Sequence, residues 1–228
     1  MWLNFFEVAL LGGVLCLDRV ALQVMISRPV VVGPVIGMVL SEPFTGLIIG
    51  AFIELLWIDR SPMGLYIPPN DSIVTVLATA GAILAGRESG HPPRELIVLA
   101  ILLFLPFGIL AQKVDVWIIK TNDGLSRRAM EYARLGDIKR LARTHMQGLV
   151  KTFAGAFVVI FVCLAPGVAI LKWAFPILPE RILKTLSYTY FFIPVLGIAV
   201  ALNTIKLRGA IPVFAGVFLL VTLIIKIF

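Results

Sequence analysis

Of the 228 residues, 60% are hydrophobic and only 14% charged, and the mean hydropathy is +1.01. No soluble domain of this length needs so much apolar surface, so the composition excludes that class and indicates a polytopic membrane protein. A net charge of +7 would suggest nucleic acid in a soluble protein; here it reads as basic cytoplasmic loops, and no nucleic-acid partner is expected.

Met1-Trp2 brings no basic segment and no small-residue cleavage site follows, so insertion into the bilayer is expected through uncleaved helices. Apolar runs fall at roughly 3–17, 29–58, 72–86, 95–119, 148–171, 186–205 and 209–227. A full crossing takes about 20 residues. By that measure 95–119, 148–171, 186–205 and, at the short limit, 209–227 qualify. Residues 29–40 and 43–58 are parted only by Ser41-Glu42-Pro43, and 72–86 is also short. These lengths predict half-helices or re-entrant hairpins. The expected fold is all-α, a polytopic membrane protein with short, broken or re-entrant helices in its N-terminal half. It forms a single membrane-embedded domain over 1–228: a substrate-handling half at 1–120, a cytoplasmic helical loop at 121–147, and C-terminal transmembrane helices at 148–228.

Polar residues inside the apolar part mark the candidate site. Asp18, Arg19 and Gln23 interrupt the sequence between the first two runs. They either line a solute path or form an interfacial turn facing headgroup water. Arg28 before Pro29 suits the start of a helix and reads as a structural anchor. Gly33 and Gly37, like Gly46 and Gly50, form small-xxx-small pairs that let membrane helices approach closely. Glu54 stands inside LIIGAFIELLWI, where a charge costs about 2.5–3.5 kcal/mol on insertion scales. A carboxylate there either accepts hydrogen bonds from solute hydroxyls or forms an internal ion pair with Arg28 or Arg60. Asn70 and Asp71 follow Pro68-Pro69 and precede the run at 72–86, so one of them is expected to cap that helix, and either could also touch a polar solute.

The one long polar insert, 121–147, is strongly basic and therefore cytoplasmic. It reads as two short helices, the first capped by Asn122 or Asp123 and ended at Gly136, the second capped by Asp137. Leu135, Ile138, Leu141 or Ala142, and Met146 recur at helical spacing. That face either rests on the membrane or docks a cytoplasmic partner. Cys16 and Cys163 lie in separate apolar runs and read as packing residues; no metal site or cofactor is expected. His91 and His145 sit in polar segments without an acidic orienter, and no Walker, zinc or Ser-His-Asp pattern occurs, so no catalytic residue is expected.

Arg28-Pro29, Gly46 to Gly50, Ile53-Glu54-Leu55, Gly64 and Pro68-Pro69, in that order, resemble the IIC component of the mannose/fructose/sorbose family of phosphotransferase (PTS) sugar permeases. Leu17-Asp18-Arg19, Leu22-Gln23 and Arg134-Leu135-Gly136-Asp137 fit the same pattern. The family usually places Asp directly after the Pro-Pro pair, where this chain has Asn70 and then Asp71; some members have His at the position of Ser27. The resemblance implies a multi-pass subunit of the bacterial cytoplasmic membrane that binds and moves a hexose-type sugar. It further implies a IID membrane partner, cytoplasmic IIA and IIB proteins, phosphoryl transfer from a histidine of IIB, and a homo-oligomer of IIC–IID pairs. The substrate-binding candidates are Glu54, Asn70, Asp71, Gln23 and Asp18. The competing functions are a carrier independent of phosphotransfer, such as a vitamin-uptake subunit, and a membrane protein that transports nothing.

Overall fold

The computed structural model describes residues 2–59, 67–205 and 210–227, with side chains throughout except at 89, 203–205, 210–211 and 221–227. Arg60, Gly64, Lys206 and Arg208 lie outside the described residues. Among the described residues every regular element is helical: α1 (Trp2–Leu17), α2 (Pro29–Val39), α3 (Pro43–Leu56), α4 (Asp71–Gly86), α5 (Arg94–Phe104), α6 (Phe107–Arg134), α7 (Ile138–Ala174), α8 (Glu180–Ile205) and α9 (Ala210–Ile227).

α2 and α3 each start with proline in the first turn, where the missing N–H costs nothing. Between them Ser41 adopts φ 67°, turning the chain back on itself within three residues. The two helices then lie backbone to backbone. A Cβ on Gly33 would run into the carbonyl of Gly46, one on Gly46 into the carbonyl of Gly33, and one on Gly50 into that of Pro29. At about 1.5 Å per residue, these helices of 11 and 14 residues are too short to cross a hydrocarbon core of about 30 Å. They form the hairpin that their lengths predict.

α4 is the centre of the molecule. It touches α1, α2, α3, α5, α6 and α7, and 14 of its 16 residues are buried. Around it pack Phe5, Val8, Ile36, Ile49, Ile53, Leu96, Ile101, Phe104, Ile160, Leu164 and Leu171. α1 runs along α7, with Gly12 against Ile160 and Val76 and Gly13 against Phe153. The N-terminal and C-terminal parts therefore interleave rather than forming separate bodies. α8 packs on α3 and α5 through the edge-to-face pair Phe52–Tyr190 and through Arg94, which sits over Tyr190 and Phe191. α9 packs on α8.

The run 95–119 lies in a stretch long and apolar enough to cross a membrane, as expected, with its helical ladder interrupted at Leu105-Pro106, where Pro106 has no N–H to offer. One expectation needs correction: 121–147 does not contain two separate short helices. α6 continues from the apolar region through Asn122 and Asp123 to Arg134, so neither residue caps a helix, and Asn122 Oδ1 is buried without a hydrogen-bond partner among the described residues. The insert is the far end of a two-helix hairpin, α6 packed on α7. Its turn is as expected. Gly136 has φ +68° and Asp137 caps α7 by accepting from the Arg140 N–H at 3.0 Å. At 37 residues α7 is about 55 Å long, well beyond a hydrocarbon core. The expected apolar stripe is open: Leu135, Ile138 and Met146 are all exposed. The stretches Arg94–Arg134, Ile138–Ile177 and Glu180–Leu202 are long and apolar enough to cross a membrane.

Candidate functional site

Between the ends of α1, α3 and α4 lies an open cavity of about 570 Å³, lined by Asp18, Arg19, Gln23, Met25, Ser27, Arg28, Glu54, Trp57, Ile58, Pro68 and Asp71. Each wall follows from a local decision of the chain. α1 ends at Leu17, and the loop that follows is organised by Asp18, whose carboxylate accepts from the Val24 N–H (2.9 Å), the Ser27 N–H (3.1 Å) and Ser27 Oγ (3.0 Å). Asp18 is 3% exposed, so it does not face headgroup water. The loop it holds includes Gln23 and Met25 at φ 55° and 66°, positions non-glycine residues adopt only when the surroundings fix them. Gln23 itself is exposed on the cavity rim.

Glu54, near the C-terminal end of α3, pairs with the Arg28 guanidinium, and its second oxygen lies 3.4 Å from the Val30 N–H. The carboxylate thus sits at the start of α2, where the helix dipole favours negative charge. The internal ion pair and the cavity position coexist. Two or three such bonds leave part of the carboxylate's roughly four acceptor positions free. Across the cavity Asp71, the first residue of α4, faces Arg19 at 3.4 Å and accepts from the Ser72 N–H at 2.8 Å. Ser72 Oγ reaches over to the Ser27 carbonyl at 2.6 Å and joins α4 to the Asp18 loop.

Asn70 is placed differently. It is 2% exposed and does not line this cavity. Its Oδ1 accepts from the Ile73 N–H at 3.1 Å and caps α4, and its Nδ2 donates to Asp115 Oδ2 at 2.9 Å. It borders a second cavity of about 270 Å³ together with Cys16, Arg19, Ile67, Pro68, Asp115 and Thr152, among others. Arg19 and Pro68 belong to both cavities.

Of the five sequence candidates, then, Asp18, Gln23, Glu54 and Asp71 share one cavity and Asn70 stands behind it. Sequence reasoning missed Trp57 and Asp115. Trp57 lies three residues beyond Glu54, hence on the same face of the chain as α3 ends. Beyond Glu95 at its very start, the run 95–119 holds Asp115 as its one carboxylate, and the reason that marks out Glu54 applies to it equally. Chemically, the larger cavity offers three carboxylates, two guanidinium groups, a serine and an amide, with Trp57, Ile58, Met25 and Pro68 as apolar walls. That mixture suits a small, hydroxyl-rich, uncharged solute. Among the described residues there is no cluster of His, Cys, Asp and Glu able to hold a metal.

The family model described as the PTS system sorbose-specific IIC component matches residues 2–227. The chain belongs to that family. It is similar to the fructose permease IIC component of Bacillus subtilis (strain 168), 26% identical over 85% of this chain and 69% of that protein. It is also similar to the mannose-specific EIIC component of Escherichia coli (strain K12), 22% identical over 82% and 68%. The cryoEM structure of the mannose transporter ManYZ in complex with microcin E492 shares its fold, with a TM-score of 0.62 and 19% identity over 97% of this chain and 85% of that one. The chain is a sugar-translocating IIC subunit, an all-helical multi-pass membrane protein.

Proposed function

We propose that the cavity between α1, α3 and α4 is the sugar site of this IIC subunit, with Glu54, Asp71, Asp18 and Gln23 as its polar contacts and Trp57 as its apolar wall. One observation carries the reading. Glu54 and Asp71, from different helices and each held by its own arginine, open onto a single cavity of monosaccharide scale. Ion pairs that served packing alone would gain nothing from being set around an open space. The site works within a bacterial cytoplasmic membrane, in homo-oligomers of pairs with a IID subunit, and the sugar is phosphorylated by IIB recharged through IIA. The α6–α7 hairpin, with its basic residues, faces the cytoplasm.

The test is uptake and phosphorylation of fructose and mannose, the sugars of the two named relatives, in membranes holding IID, IIA and IIB at matched expression. Glu54→Gln keeps the shape but weakens the hydrogen bonds a charged acceptor makes, an effect of about 1.5–3 kcal/mol. Uptake is expected to fall by about tenfold or more while assembly with IID survives. Uptake at the wild-type rate would place the sugar elsewhere.

A further inference from the structure

The segment that carries Asp71 into the cavity is gripped from behind by one face of α6. Gly108, Gln112 and Asp115, four and three residues apart, share that face. The Gly108 carbonyl accepts from the Asn70 N–H at 3.0 Å, Gln112 Nε2 donates to the Ile67 carbonyl, and Asp115 accepts from Asn70 Nδ2. Gly108 has no side chain because none would fit comfortably: a Cβ there would stand 3.0 Å from both Trp57 and Val74. The extended stretch 67–70 is thus tied to α6 by three hydrogen bonds before α4 begins.

The bonds to Asp115 and to the Ile73 N–H together settle the amide orientation of Asn70. An asparagine side chain is almost symmetric in shape, so packing alone does not choose between its two flips. An ionised carboxylate accepts hydrogen bonds and donates none. An ionised Asp115 thus takes the NH2 of Asn70 while the Ile73 N–H, which can only donate, takes Oδ1, so the carboxylate reinforces the orientation that caps α4. The opposite flip would set oxygen against carboxylate and NH2 against N–H. With the cap in place the first turn of α4 is fixed, and with it Asp71 against Arg19 and Ser72 against the Ser27 carbonyl.

We propose that Asp115 is a positioning residue of the sugar site: through the amide of Asn70 it holds the start of α4, and so Asp71, in the sugar-binding arrangement. Asp115 lies on the second cavity and not on the larger one, so it acts without touching the sugar. The proposal rests on the sugar-site reading above, and its test separates the two.

The experiment uses three variants in the purified complex with IID: Asp115→Ala, Asn70→Asp, and the swap that combines Asn70→Asp with Asp115→Asn. Two quantities are measured, the affinity for radiolabelled fructose or mannose, whichever the wild type binds more tightly, and amide-hydrogen exchange over 70–75. Asp115→Ala removes one of the two partners that set the amide and leaves the NH2 of Asn70 unpaired. Asn70→Asp sets two carboxylates face to face. Both are expected to speed exchange and weaken sugar binding about fivefold to tenfold. In the swap variant a carboxylate at position 70 caps α4 and an amide at position 115 supplies the NH2, so both quantities are expected to return to within about twofold of wild type. Wild-type exchange in Asp115→Ala, or a swap variant no better than Asn70→Asp alone, overturns the proposal. Weakened sugar binding in Asp115→Ala with unchanged amide exchange also overturns it, because Asp115 would then touch the sugar itself. If the exchange rates follow the expected pattern while affinity never moves, the positioning role of Asp115 falls; the cavity assignment falls only if Glu54→Gln also leaves uptake at the wild-type rate.

Discussion

α4 and α8 are both apolar in sequence, yet one is wrapped on all sides and the other is largely bare. In α4, 14 of 16 residues are buried. α8 leaves Tyr188, Phe191, Phe192, Val195 and Leu196 exposed. The difference between them is side-chain size. Nine of the 16 residues of α4 are Gly, Ala, Ser or Thr, against seven of 26 in α8, which carries four aromatic residues between Tyr188 and Phe192. In a bilayer lipid tails are as apolar as leucine, so hydrophobicity does not decide which helix is enclosed; close packing of small residues does. The enclosed helix is the one whose N-terminus can hold charged groups away from lipid, and the cavity is built there.

The largest expected effect comes from undoing that size difference. Ala80 in α4 is 0% exposed, whereas Ala199 in α8 is exposed. Leucine at 80 must displace neighbours in a packed core, which costs about 1–3 kcal/mol and often more where no rotamer is open. The Ala80→Leu protein is expected to lose most of its folded yield in detergent, judged by size-exclusion profile and thermal aggregation temperature. Ala199→Leu is expected to match the wild type in both. Equal losses would mean that α8 is enclosed by a partner, and the contrast would hold only for the isolated subunit.

Next in size is the exchange of charges at the pair beside the cavity. Arg28→Glu alone brings two carboxylates together, and Glu54→Arg alone does the same with two cations; both are expected to impair assembly. The double variant restores an ion pair, so folded yield is expected to recover. Uptake is not, because the carboxylate has moved from the position that is 15% exposed to the one that is 49% exposed, and a cation occupies its place. If uptake recovers together with yield, the pair serves packing alone.

Signals that act within a few residues were legible in the sequence. Pro29 and Pro43 start helices, Asn70 caps α4, Gly136 and Asp137 make the hairpin turn, and the paired glycines bring α2 against α3. What depends on contacts between distant segments was not. Asn122 and Asp123 carry a capping signal, but α7 packs alongside and the helix runs through them. Asp115 becomes meaningful only beside Asn70, 45 positions away. That α1 and α4 both pack on α7 was equally illegible, since it joins segments far apart in the sequence.

The smallest effect uses one device in two settings. Asn70 and Asp137 cap α4 and α7 in the same way, each accepting from the N–H three residues on, at 3.1 and 3.0 Å. Asn70 is enclosed and its other end is committed to Asp115, whereas Asp137 stands at the exposed turn of the hairpin beside Arg140. Removing an exposed cap costs about 1 kcal/mol, because water can serve the freed N–H groups. The Asp137–Arg140 pair adds little to this, as exposed ion pairs contribute about 0–1 kcal/mol. Asp137→Ala is therefore expected to speed amide exchange by only about fivefold, confined to the first turn of α7, with sugar uptake and assembly unchanged. A marked fall in phosphorylation with binding intact would show that the hairpin turn meets a cytoplasmic protein, and that its exposed Leu135 and Ile138 are covered when it does.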